Sequence, residues 1–175
     1  MIDQIKTFFF NYRLKQNSLN IISPNFIQNF NNLRTIGILF DATSQNITQD
    51  IIEFKKKFKD LDKQIDIYGY TKQDQIVAES YLMSKKDLNW YGYPIKNSAF
   101  AFADKSFDVL IAVFPESNSP LLSVLSLTKS KLRVGIDSIK NITLLDIVVQ
   151  VDHPNNQMKS LEIIFNFLKT INSKN

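Results

Sequence analysis

The sequence predicts an α/β fold: a three-layer, Rossmann-like or flavodoxin-like sandwich. Its sheet is mostly parallel, with about five or six strands, and an amphipathic helix precedes it. Three observations predict this. Short apolar runs alternate with segments of helical periodicity along most of the chain, the order that parallel βαβ units with right-handed crossovers need. One run, Phe107-Asp108-Val109-Leu110-Ile111-Ala112-Val113-Phe114, is apolar almost throughout, so both its faces must be covered and it belongs in the sheet interior. A length of 175 residues with 44% hydrophobic content fits a single domain with a sizeable core and excludes a disordered or collagen-like chain.

Residues 2–16 read as a helix, because Ile2, Ile5, Phe9 and Tyr12 recur at spacings of three and four. Lys6, Arg13 and Lys15 fall largely off that stripe. Such a helix either docks on the domain or lies in a membrane interface. Residues 17–34, Asn-rich with Pro24, read as an irregular connection. Ile36-Gly37-Ile38-Leu39-Phe40, ending in Asp41, reads as a buried parallel strand. Asn46 with Gln49 three residues on has the form of a capping box. Ile47, Ile51, Phe54, Phe58 and Leu61 then mark one face of a helix whose lysines are its wet side. Residues 65–70 form the second strand. Residues 72–96 are less regular: Ile76-Val77-Ala78 suggests a short helix, Tyr81-Leu82-Met83 a third strand, and residues 86–94 an aromatic turn. Asn97 caps a short helix reaching Asp104. After the strand at 107–114, Ser119 as N-cap and Pro120 at the first helical position open a helix through Leu127. Strands at 132–136 and 147–151 and a helix at 157–172 complete the chain.

The organisation is therefore a basic amino-terminal helix with its connecting segment, residues 1–34, and a single Rossmann-like α/β domain, residues 35–175. The first part carries Lys6, Arg13, Lys15 and Arg34 against Asp3 alone, while the remainder is nearly neutral. A basic arm suits phosphates or an anionic surface, or is an ordinary solvated face. The arm is expected to be dispensable for folding of the domain. The amino terminus has no secretory signal pattern, and no run of about 20 apolar residues spans a bilayer. The expected location is the cytoplasm.

Composition excludes several chemistries. Cys is absent, so disulfides, thiolate nucleophiles and Cys-based metal sites are excluded together. The one His, His153, cannot build a multi-histidine metal centre in one chain. Four glycines leave no glycine-rich phosphate loop. No catalytic set, metal site or cofactor is expected.

Three segments are candidates for binding. Asp41, Thr43 and Ser44 follow the first strand. An acid there binds a ribose hydroxyl or a metal or acts as a base, or else ends the strand while Thr43 or Ser44 bonds local backbone. Ser117, Asn118 and Ser119 precede a helix amino terminus, where free amides favour an anion. Glu116 opposes this, and an ordinary cap is the alternative. Asn89, Trp90, Tyr91 and Tyr93 surround Gly92; such a loop either anchors a partner or stacks a base, or covers a sheet edge. Together with Lys6, Arg13 and Lys15 it forms the candidate partner surface. His153 reads as a surface turn residue.

Two resemblances follow. Ile36-Gly37-Ile38-Leu39-Phe40-Asp41-Ala42, Lys86-Asp87-Leu88-Asn89-Trp90-Tyr91-Gly92, Phe107-Asp108-Val109-Leu110-Ile111 and Ser130-Lys131-Leu132-Arg133-Val134-Gly135 together resemble a bacterial family of about this length that is known as a domain of unknown function. That resemblance covers nearly the whole chain and implies an intracellular bacterial protein. Residues 104–137, through Phe107-Asp108-Val109-Leu110-Ile111, Leu121-Leu122, Leu125 and Lys131-Leu132-Arg133-Val134-Gly135-Ile136, are similar to the amino-terminal half of lipopolysaccharide heptosyltransferases. The nucleotide-sugar site of those enzymes lies largely in their second half, for which this chain is too short. Asp41-Ala42-Thr43 also stands where they tend to carry Gly-Asp.

The expected function is a non-enzymatic Rossmann-like module that binds a macromolecular partner, a protein or an RNA, through the basic segment and the aromatic loop. The alternative is a small-ligand-binding protein or minor enzyme, nucleotide- or sugar-related, that uses Asp41 and the loop at 116–119. A deep cleft holding Asp41 and Ser117 together favours the second reading; a filled strand end favours the first.

Overall fold

The apolar run after Arg34 forms β1 (Thr35–Asp41), and every strand of the main sheet lies parallel to it. The computed structural model describes residues 2–18, 30–44, 46–58, 62–73, 80–115, 119–139 and 142–170. In chain order the other elements are α1 (Ile2–Ser18), α2 (Ile47–Lys56), β2 (Gln64–Tyr70), β3 (Leu82–Met83), α3 (Asn97–Ala103), β4 (Ser106–Phe107), β5 (Val109–Ala112), α4 (Ser119–Leu127), β6 (Lys129–Ser130), β7 (Arg133–Ile136), β8 (Ile147–Val149) and α5 (Gln157–Thr170). The six-stranded sheet runs β3-β2-β1-β5-β7-β8, and β4 and β6 pair separately. Helices α2 and α5 pack together on the sheet, and α1, α3 and α4 form a second group. The result is the expected Rossmann-like sandwich.

β5 lies between β1 and β7, and residues 109–114 are fully buried. Continuous apolarity therefore located the sheet interior. The run at 107–114 is nevertheless two strands. The Asp108 carboxylate accepts the amides of Arg34 and Thr35 and the Lys131 ammonium. It sits at the joint, sending Phe107 into the small sheet and Val109 into the large one.

Several local expectations are corrected. Asn46 makes no side-chain cap; it occupies the left-handed region at φ 72°, which Asn tolerates, and Gln49 donates to Glu53 instead. Asn97 is the first helical residue of α3, and Lys96 holds the cap position. The last strand stops at Val149. Leu61 and the helix expected at 76–78 lie outside the described residues.

α1 docks by a face other than Ile2, Ile5, Phe9 and Tyr12. Leu14 is buried, Phe10 packs against the core, and Asn17 donates to Ser126 on α4 and to the Tyr93 hydroxyl. Residues 10, 14 and 17 also lie at helical spacing, so the helix has two stripes, and the domain takes the one with a polar partner for α4. Beyond α1, Phe30 and Leu33 join the main core, and the Lys63 ammonium donates to the carbonyls of both at 2.8 Å.

β3 covers only the end of β2, pairing Gly69 with Leu82 and Tyr70 with Met83. Gly69 and Thr71 donate to that side, to the Tyr81 and Met83 carbonyls. By the two-residue period of a strand, the N–H groups of Ile65 and Ile67 face the same way. No strand lies opposite them among the described residues.

Candidate functional site

The strand order reverses between β1 and β5, so the crevice at their carboxyl ends is the place where an open parallel sheet binds ligands. A cleft of about 590 Å³ opens there. Asp41, Tyr70, Lys72 and Lys85 line it from the strand ends, Pro120 from α4, Lys6 from α1, and residues 88–92 from the aromatic turn.

Asp41 is fixed through its main chain. The Gln157 side chain, at the start of α5, accepts the Asp41 N–H at 2.7 Å and donates to the Asp41 carbonyl at 2.8 Å. An amide group thus continues the ladder where the strand stops. Asp41 ends the strand, and it is its own carboxylate, not the Thr43 hydroxyl, that bonds the local backbone, accepting the Thr43 N–H at 2.8 Å. The Thr43 hydroxyl is buried with no partner among the described residues, and Ser44 is exposed. Ser117 and Asn118, with Glu116, lie outside the described residues; Ser119 opens α4.

Two lysines that the sequence did not single out enter the cleft. Lys72 follows the buried Thr71, whose hydroxyl accepts the Gln73 N–H. Lys85 opens a 3-10 turn, Lys85–Asp87, closed by the Ser84 N–H donating to Asp87 at 2.8 Å. Neither forms an ion pair among the described residues.

The aromatic turn is a built loop. Leu88 and Pro94 form an antiparallel bridge across its base. The Asn89 side-chain oxygen accepts the N–H groups of Tyr91 at 3.2 Å and Tyr93 at 3.0 Å. Gly92 takes a φ of 88°, a left-handed turn that a side chain would strain. Asn89 thus organises the loop, while Trp90 stands at its tip, 58% exposed. Phe9 of α1 packs edge-on to Trp90 at 5.5 Å and against Tyr91 at 6.1 Å, and the Arg13 guanidinium lies 6.0 Å from the Tyr93 ring centre. The structure thus gathers Phe9, Arg13, Trp90, Tyr91 and Tyr93 on one side of the molecule. Ile2, Ile5, Phe8 and Tyr12 of α1 remain exposed, Phe8 by 66%. Lys6, Arg13 and Lys15 flank that stripe by helical position.

A larger groove, about 780 Å³, runs along the open side of β2 between α2 and α3. Tyr68 pairs there with Ser98 at 3.0 Å and Lys105 with Asp66 at 3.1 Å, while Lys55 and Lys56 also line it. Burial pushes the Tyr68 hydroxyl up to about 12, outweighing the hydrogen bond with Ser98. The cleft, unlike the groove, lies at the carboxyl ends of the strands beside the reversal of strand order, so the cleft is the candidate site. No cluster of three metal-ligating side chains occurs among the described residues. His153 is an exposed turn residue whose carbonyl accepts the Asn156 N–H.

No helix of the described residues is long and apolar enough to cross a membrane. No curated protein and no solved structure matches the chain, heptosyltransferases included. The model of a family of unknown function, DUF6913, matches residues 6–171 and so spans all four segments of the first resemblance. The chain belongs to that family.

Proposed function

We propose that the protein is a non-enzymatic docking module of the bacterial cytoplasm, held at an anionic membrane surface by α1 and the Trp90 loop. One observation carries this reading: the apolar stripe of α1 faces outward and continues through Phe9 into Trp90. Fully burying one such side chain is worth roughly 1.5–3 kcal/mol. Lys6, Arg13 and Lys15 add about 1 kcal/mol each near anionic lipid. Trp and Tyr favour the lipid–water boundary, where the ring is buried and the polar edge stays wet. A second copy is a poorer partner, because the three cations would meet themselves. Single-stranded RNA suits the rings but not Ile2 and Ile5, which have no face to stack on a base.

Flotation of the full chain with anionic and zwitterionic vesicles tests the proposal. The expected result is anionic-selective binding that weakens with salt and shifts Trp90 emission to the blue. Phe8→Ser and Trp90→Ala should each weaken it on the order of ten-fold. Trp90→Ala should cost under about 1.5 kcal/mol of stability, well below the roughly 3–5 of a buried aromatic. Absence of vesicle binding, binding indifferent to lipid charge, or salt-sensitive binding to RNA alone refutes it.

A further inference from the structure

We infer that the strand-end cleft binds a small phosphorylated ligand carrying a planar ring, a nucleoside phosphate by chemical class. The cleft shares Lys6 and Trp90 with the docking surface, but Lys72, Lys85 and Asp41, which that surface does not use, carry the assignment. Lys6, Lys72 and Lys85 line the cleft against the single carboxylate of Asp41. Lys72 and Lys85 have no ion pair among the described residues, and Lys6 has only the exposed Asp3 at 4.0 Å. Three lysines lining one crevice suit a doubly charged anion, which an ammonium meets as a point charge.

Shape adds the ring. Trp90 and Tyr91 form the cleft's aromatic wall, edge to face at 5.1 Å, on a loop held rigid by Asn89. A neutral sugar has no use for three lysines, and inorganic phosphate has no use for two rings. Asp41 supplies the remaining element. One carboxylate oxygen accepts the Thr43 N–H, and the other, with no hydrogen bond among the described residues, is placed to accept a ligand hydroxyl. A volume of about 590 Å³ lies within the range of small-molecule sites. Anion recognition here falls to side chains, since the turn after β1 is Asp41-Ala42-Thr43 and has no glycine-rich backbone cradle.

The single tryptophan reports directly on the site. The full chain, free of vesicles, is titrated with ADP, GDP and UDP, and with adenosine and inorganic phosphate as partial probes. At least one diphosphate should quench Trp90 saturably, while each partial probe binds about ten-fold more weakly or worse. The exposed pair Lys72→Gln/Lys85→Gln should weaken that diphosphate about ten-fold or more at an unchanged melting temperature. Vesicle binding of that variant should be unaffected, which separates failure of this inference from failure of the docking proposal. No saturable quenching by any diphosphate up to about 1 mM, or equal affinity in the double variant, overturns it.

Discussion

Asp108→Asn isolates the joint that ties the segment before β1 to the two sheets. The wild-type carboxylate is largely buried, with 11% of its side chain exposed. One oxygen accepts the Arg34 and Thr35 amides at 2.8 and 3.0 Å, and the other accepts the Lys131 ammonium at 2.7 Å. Burial by itself raises its pKa. The hydrogen bonds from Lys131, Arg34 and Thr35 outweigh burial and hold the group at about 2, against an ordinary 3.8. That difference corresponds to roughly 2 kcal/mol of folding stability. The folded pKa is depressed, so the stabilisation is fully present above the unfolded value and is lost as pH falls from about 4 through 2. Asparagine keeps an acceptor for the amides but turns an NH2 toward Lys131. The variant should therefore lose roughly 2 kcal/mol at pH 7, about 1 M in urea midpoint if the slope is ~2 kcal/mol/M. Urea unfolding at pH 7 and at pH 2.5 reads both values, and the gap should narrow substantially at the lower pH. A gap that stays constant between them, or a cost below about 0.5 kcal/mol at pH 7, refutes the assignment of stability to this charge.

Two further perturbations follow from the packing. Gln157→Ala strips both partners from the Asp41 main chain and should cost roughly 2–4 kcal/mol, read by chemical unfolding; a cost under about 1 would mean that water replaces the amide. A chain starting at Thr35 is expected to melt cooperatively at a lower temperature, having lost the burial of Leu14, Phe30 and Leu33 at roughly 1.5–3 kcal/mol each, and a non-cooperative calorimetric melt would assign residues 1–34 to the core unit.

What the sequence revealed tracks the range of the interaction responsible. The interior position of β5 was legible because burial on both faces leaves no polar residue between Val109 and Phe114. The division at Asp108 was not, since its partners Arg34 and Lys131 are distant in sequence. Periodicity located α1 but not its docking face, because apolar spacing is a property of the helix and docking is a property of α4. Asn46 and Gln49 fit a capping pattern, yet the left-handed backbone of Asn46 removed it. Within the site, Asp41 and the aromatic turn stood out by residue type. Lys72 and Lys85 did not, because isolated lysines look alike until the sheet order brings them to one crevice. Gln157 was invisible for the same reason, being 116 residues from its partner.

The short reach of β3 has a colloidal consequence. Where β2 has no neighbour among the described residues, its backbone is a template onto which another molecule's strand could add. Lys55, Lys56 and Lys105 rim that stretch. Lys105 is neutralised by Asp66, but any second copy arriving edge to edge brings the same Lys55 and Lys56, and those like charges oppose the approach before strand backbones meet. Screening weakens this over about 10 Å at 0.1 M salt. Replacing the exposed Lys55 and Lys56 with neutral residues is expected to leave the fold intact while lowering the barrier between one molecule and the next.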